Sequence, residues 1–284
     1  MRSLLDRLTG HRVPVADAPT TAAVLPGTER WSADASELLA GGRTAGVLVC
    51  HGFTGSVISM TPWAEHLHSL GYGVAVPRLP GHGTDWRELN RVSWTDWYSC
   101  VERELIQLAD NYDRVFIAGL SMGGALALRL AEEHPALVAG LALVNPAVAS
   151  RDPRMALTPA LRYVISSIPA IGNDIAKPGM SEGAYERTPI GGVAEMVRLQ
   201  AITRADLSKV TAPLLLFRSV VDHVVDPSSA EVILREISSE QATERLLHDS
   251  YHVATVDHDA ETIFAESATF FGEILTAAPP AAGN

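Results

Sequence analysis

The chain has 284 residues, 47% of them hydrophobic and 19% charged, with a formal net charge of −11. That is enough apolar material for one large α/β domain, or one domain with an inserted lid, and it argues against global disorder. The acidic balance argues against a nucleic-acid binder, which needs a concentrated basic surface, and against a polybasic membrane anchor.

Residues 1 to about 43 mix Pro, Gly and small polar residues and are expected to form an irregular or hairpin-like lead-in. Arg2, Asp6 and Arg7 break any signal-like apolar stretch at the N-terminus. Gly46 to Cys50 is a short continuous apolar run, which suits a strand buried on both faces of a sheet. It ends at the turn-rich His51-Gly52-Phe53-Thr54-Gly55. Met60 to Leu70 has helical spacing, with Trp63, Leu67 and Leu70 on one face and Gly71 as a stop. Gly73 to Pro77 reads as a second strand and Trp94 to Leu108 as a helix, with Trp94 and Trp97 packing on the body. Val115 to Leu120 is a third buried strand, running into Ser121-Met122-Gly123-Gly124 and a helix that ends before Pro135.

Leu137 to Asn145 is a further strand. The stretch from 146 to about 205 is rich in Pro, Gly, Ser and Met and is too long for an ordinary connection. Leu214 to Phe217 resumes the sheet, Ala230 to Ile237 is helical, Glu244 to Leu247 is a last strand and Thr262 to Leu275 a closing helix. Strands alternating with helices indicate an α/β fold, a mostly parallel sheet covered on both faces. The expected division is a core of residues 1–145 and 206–275, a cap of 146–205 and a disordered tail of 276–284. No apolar run reaches membrane-spanning length, so stable membrane insertion is not expected. Two cysteines, Cys50 and Cys100, cannot make a disulfide framework and read as buried thiols in a reducing, cytoplasmic setting.

The sharpest chemical signal is Gly119-Leu120-Ser121-Met122-Gly123. A Gly-x-Ser-x-Gly run between a buried strand and a helix has the context of a nucleophile elbow. A side chain at either flanking position would clash, and the helix beginning at Met122 aims free N–H groups at a reacting oxygen. A serine hydroxyl needs a base, and the base an orienting acid, in the chain order Ser, Asp or Glu, His. Asp222 follows a late strand and is favoured over Asp226, which is also placed to cap the next helix. His252 lies after the last strand and is favoured over His248 and His258. Acyl transfer also needs two N–H donors at the oxyanion: Met122 for one and Phe53, in the loop after the first buried strand, for the other. No Cys/His spacing suits zinc and no phosphate-binding Gly-rich fingerprint follows a strand, so neither metal nor cofactor is expected.

Five collinear segments carry a resemblance: His51 to Gly55, Pro77 to Gly83, Gly119 to Gly124, Asp222 to Val225 and Ser250 to Thr255. Together they resemble the bacterial carboxylesterase and monoacylglycerol lipase group of the α/β-hydrolase superfamily. The resemblance implies an α/β-hydrolase fold with an inserted cap, and Ser121, Asp222 and His252 as triad with Phe53 and Met122 forming the oxyanion hole. It implies a serine hydrolase acting on carboxylic esters of short to medium acyl chains, monoacylglycerols among them. The Pro77 to Gly83 loop reads as scaffolding, His82 included. The cap segment carries an apolar set, Leu157, Leu161, Val164, Ile165, Ile168 and Ile171, with partial helical spacing. Such a surface would bury an acyl chain at about 0.8 kcal/mol per methylene. In the resembled lipases a cap acid meets the glycerol hydroxyls, and Glu182 is the matching position; a solvated surface glutamate is the competing reading. An apolar cap also fits a lid or a homodimer contact. The same elbow serves acyltransferases and carbon–carbon hydrolases, and a hydrolase-fold module can bind a ligand without catalysis.

Overall fold

The computed structural model describes residues 22–39, 42–170 and 172–277. Among these residues, seven strands form one sheet in the order β1-β3-β2-β4-β5-β8-β9. The strands are β1 (Trp31–Ala33), β2 (Ala45–Cys50), β3 (Gly73–Val76), β4 (Arg114–Leu120), β5 (Val138–Val144), β8 (Leu214–Ser219) and β9 (Ala242–Leu247). Only β1 runs antiparallel to its neighbour; the other pairings are parallel. A separate two-stranded ribbon pairs β6 (Ser167–Pro169) with β7 (Arg187–Pro189). The helices are α1 (Thr61–Ser69), α2 (Trp86–Leu89), α3 (Trp94–Asn111), α4 (Met122–Glu133), α5 (Thr158–Leu161), α6 (Ile190–Asp206), α7 (Ser228–Glu236) and α8 (Ala260–Thr276).

The central strands β2, β4, β5 and β8 are apolar except for Arg114, Arg218 and Ser219, because both faces are covered. Leu48, Ile117, Leu141 and Leu216 point into a core shared with α3, α4 and α7. Val47, Val49, Phe116, Ala142 and Phe217 point the other way, into a core shared with α1 and α8. Phe116 and Phe271 stack there with centroids 4.4 Å apart, and Trp63 Nε1 donates to Ser267 Oγ at 2.8 Å to tie α1 to α8. Among the described residues no helix is long and apolar enough to cross a membrane.

Registers bring the strand ends level. Cys50 pairs with Gly119, Leu120 with Val144, Val144 with Phe217, and Ser219 with Leu247. The residues that follow β2, β4, β5, β8 and β9 therefore emerge together at the carboxyl edge of the sheet, where ligands bind in open parallel sheets.

Several expectations are corrected. Leu70 is not on the buried face with Trp63 and Leu67; it sits at the end of α1, where the chain turns over Gly71, and is exposed. The apolar set of the 146–205 stretch does not lie along one helix, because only Thr158–Leu161 is α-helical before the chain turns into β6. The same stretch contains α6, a helix of 17 residues that the sequence reading missed. It packs on α4 and α3, joining the body rather than standing apart from it. Gly192 lets α6 also pass close to the loop after β2: a Cβ there would lie 2.9 Å from the Phe53 ring. The closing helix extends to Thr276. Ile171, residues 1–21 of the lead-in and residues 278–284 of the expected tail lie outside the described residues.

Candidate active site

Ser121 sits between β4 and α4 with φ 55° and ψ −117°. Its N–H donates to Val144 O at 3.0 Å, and its carbonyl accepts from Ala147 N–H at 3.1 Å. The turn closes so tightly that a Cβ on Gly123 would lie 2.1 Å from Cys50 O, and one on Gly119 2.7 Å from Gly123 O. The hydroxyl-bearing residue is 7% exposed, facing the loop after β2.

Asp222 and His252 meet across the loops after β8 and β9. His252 Nδ1–H donates to Asp222 Oδ2 at 2.8 Å, and both side chains are nearly buried. The other oxygen, Asp222 Oδ1, accepts Val224 N–H and Val225 N–H, each at 2.8 Å. The carboxylate is thus held by its own turn with one oxygen left for the imidazole. Burial disfavours charge on His252, but the bond and charge of Asp222, with the charges of Glu182 and Asp174, outweigh it and raise its pKa. No hydrogen bond joins Ser121 Oγ to His252 among the described residues; such contacts often tighten only with substrate bound. Asp226 turns away, accepting Ser228 N–H at the start of α7 and Arg151 N–H. His248 and His258 are exposed.

Phe53 lies in the loop after β2, whose Gly52 faces Ser121, and Met122 is the first residue of α4, directly after Ser121. Met122 is fully buried, and its side chain belongs to the core. The Phe53 ring packs on Trp97 and His82, at 6.0 and 6.1 Å between centroids. Behind that loop His51 Nδ1–H donates to Gly52 O at 2.9 Å while its Nε2 accepts Leu79 N–H at 3.2 Å. Burial holds this ring neutral, lowering its pKa to about 4. Trp97 Nε1 donates to Pro80 O at 3.0 Å, so the Pro77 to Gly83 loop buttresses Phe53.

Glu182 is not a solvated surface residue: it is 6% exposed, with Oε1 accepting Asn173 N–H at 2.7 Å. Its other oxygen faces Gly55, where a Cβ would come within 2.9 Å of it. Burial pushes its pKa up, against the pull of the Asn173 N–H. Ile165 lies in the turn after α5 and is 39% exposed, beside the strongly exposed Tyr163 and Val164.

A family model described as "alpha/beta hydrolase fold" matches residues 47–179. A thermostable monoacylglycerol lipase of Bacillus sp. (strain H-257) is 41% identical over 233 residues, 80% of this chain and 90% of the relative. The chain belongs to the α/β-hydrolase family. A carboxylesterase of Bacillus subtilis (strain 168) is 23% identical over 80% of this hydrolase and 92% of its own length. A solved structure from work on the metagenome-derived lipolytic enzymes LipS and LipT superposes with a TM-score of 0.83 at 36% identity. It covers 88% of this hydrolase and 100% of that chain. Within the family, the chain belongs to the carboxylesterase and monoacylglycerol lipase group.

Two residues of the hydrolase that hold the His252 loop escaped the sequence reading. Asn145, at φ 45° just past β5, donates from Nδ2 to His252 O at 2.8 Å and accepts Ser219 N–H at 2.8 Å. Asp174 accepts His252 N–H at 3.2 Å from the other side. The available signal for Asn145 was an asparagine at a strand end, since Asn is among the residues that tolerate positive φ. Asp174 had none.

Proposed function

We propose that this hydrolase cleaves monoacylglycerols and related carboxylic esters of short to medium acyl chains, through an acyl-enzyme on Ser121. Membership of the carboxylesterase and monoacylglycerol lipase group makes the chain a serine ester hydrolase. The observation that carries the reading of its site is the 2.8 Å bond between His252 and Asp222, at the same sheet edge as the strained Ser121 elbow.

In this reading His252 Nε2 takes the Ser121 proton as Oγ attacks the ester carbonyl. Asp222 fixes the imidazole tautomer and stabilises the imidazolium. The N–H groups of Phe53 and Met122 receive the oxyanion, with the start of α4 adding its dipole. His252 then protonates the leaving alcohol, and water enters by the reverse sequence. Glu182 presents one oxygen toward the oxyanion loop, which suits a glycerol hydroxyl, and Ile165 lies with the apolar surface that would receive the acyl chain. The exposed Tyr163 and Val164 fit a lid or a homodimer contact, and the cap is assigned to residues 146–205 apart from the body-packed α6. Cys50 and Cys100 are buried free thiols, which suits a reducing cytoplasm.

The test is initial rates on an acyl-length series of activated esters and monoacylglycerols side by side. Ser121→Ala is expected to lose at least about four orders of magnitude in kcat while staying folded. Glu182→Gln is expected to raise KM for monoacylglycerols more than for simple esters. Full activity in Ser121→Ala, with contamination excluded, sinks the mechanism. Activity on short activated esters alone sinks the monoacylglycerol assignment.

A further inference from the structure

Residues 172–186 cross the candidate site from one flank to the other. On the oxyanion side, Tyr185 N–H donates to Thr54 O at 3.2 Å and Ser56 Oγ donates to Glu182 O at 3.0 Å. On the opposite side, Val253 N–H donates to Asp174 O at 3.0 Å. The Asp257 carboxylate there accepts Ala176 N–H at 2.7 Å and Lys177 N–H at 2.8 Å. Asp174 lies where this strap passes both the acid loop and the base loop. Its Oδ2 accepts His223 N–H at 3.1 Å and His252 N–H at 3.2 Å. Its Oδ1 accepts His223 Nδ1–H at 2.7 Å.

We infer that Asp174 is a positioning residue for the reaction: its one carboxylate, delivered from the strap, holds the loop of Asp222 and the loop of His252 in register. The inference rests on the Ser121, Asp222 and His252 reading above. His223 directly follows Asp222, so a carboxylate that grips its backbone and its ring grips the acid loop itself. The same carboxylate takes the backbone N–H of the base, while Asn145 holds the carbonyl of that residue at 2.8 Å. His252 is therefore clamped on both peptide groups, one clamp from the sheet and one from the strap. Hydrogen bonds to an ionised acceptor are the stronger class, and the Asp174 side chain is only 15% exposed. The strap thus serves as part of the frame for proton transfer as well as a cover. The charged and titratable groups facing His252 are Asp222 from its own side of the sheet edge and Glu182 and Asp174 from the strap. His223 stands next to them, its ring edge-on to Tyr251 at 4.9 Å.

The test uses the whole protein and a water-soluble short-chain ester, with Asp174→Ala, Asp174→Asn and Ser121→Ala made in parallel. Asn keeps an oxygen for the two backbone N–H groups and removes the charge; Ala removes both. In Asp174→Ala, kcat is expected to fall about ten- to a hundredfold, the scale of a small misplacement of reacting groups. KM should stay within about twofold. Asp174→Asn is expected to recover most of kcat. In both variants the acid limb of kcat/KM should move to lower pH, because a negative charge that favours the imidazolium is gone. An Asp174→Ala protein that folds as the wild type and keeps its kcat and acid limb overturns the proposal, as does a change confined to KM. If Asp174→Ala does not fold, Asp174→Asn decides alone, and an unmoved acid limb overturns it. Residual full activity in Ser121→Ala overturns the triad reading and this inference with it. An inactive Ser121→Ala beside an unperturbed Asp174→Ala overturns this inference only.

Discussion

At Ser121 the backbone occupies φ 55°, a region that L residues seldom adopt and that persists only where the surroundings over-determine it. Those surroundings are the glycines. Because a Cβ on Gly123 would stand 2.1 Å from Cys50 O, Gly123→Ala must push α4 away from β2. We expect its labelling rate with a serine-reactive phosphonate to drop about a hundredfold or more even where circular dichroism shows a folded chain. Labelling at the wild-type rate would contradict the elbow as described. The electrostatics of His252 give a second expectation. Its pKa is raised, so the neutral imidazole that can accept a proton is lost on acidification at a pH above the ordinary histidine value of about 6.5. The acid limb of kcat/KM should lie above that value. Asp222→Asn removes the bond and charge that raise it, so the limb should fall to lower pH, with kcat reduced by about 10⁴. A limb that stays in place in Asp222→Asn would show that the Asp222–His252 pair does not govern it.

Among the elements, α8 shows how the edge of the sheet is held rigid. It closes one face through Phe271 stacked on Phe116, and through Ser267 paired with Trp63. Phe271→Ala leaves a cavity beneath β4, the strand that carries Ser121. It should cost about 3–5 kcal/mol, read as a lower urea midpoint with an unchanged slope. A change below about 1 kcal/mol would mean that the core collapses into the gap. The central elements were legible because their composition is self-sufficient. Runs such as Gly46 to Cys50 and Val115 to Leu120 are apolar at every position, and a strand buried on both faces needs nothing else. The positions of Ser121, Asp222 and His252 after β4, β8 and β9 followed from chain order for the same reason. Helix α6 was not legible. Its buried residues include Gly191, Gly192, Glu195, Gln200 and Thr203, which give no apolar stripe. Gly192 is there for the Phe53 ring, and Glu195 for Arg162 at 2.7 Å, partners far away in sequence. Asp174 escaped for the same cause: a lone aspartate in a Pro- and Gly-rich stretch acquires meaning only when the strap is laid across two loops that come later in the chain.

For the molecule as a whole, the buried histidines set a limit on acid. His51 and His82 meet edge to face, 4.9 Å between centroids, behind the loop that carries Phe53. Burial lowers the pKa of both, that of His51 to about 4. The unfolded chain takes up protons on these rings near the ordinary value of about 6.5, whereas the folded chain refuses them until far lower pH. Stability from this pair is therefore complete above about pH 6.5 and is lost as the pH falls from there toward the folded values. His252 has the opposite sign: its raised pKa contributes stability that is present below the unfolded value and lost as the pH rises through the folded one. The carboxyls of Glu132, raised to about 8, and of Glu182 have the same sign as His252, so the share of the His51 and His82 pair is read as a difference between variants. Protonation of His51 would also remove the lone pair that accepts Leu79 N–H, the bond linking the Phe53 loop to its buttress. The Phe53 loop and this share of the stability should fail together on acidification, so the urea midpoint of the wild type should drop relative to that of His51→Gln between about pH 7 and about pH 5. An equal slope in that variant would move the cause of acid unfolding away from this pair.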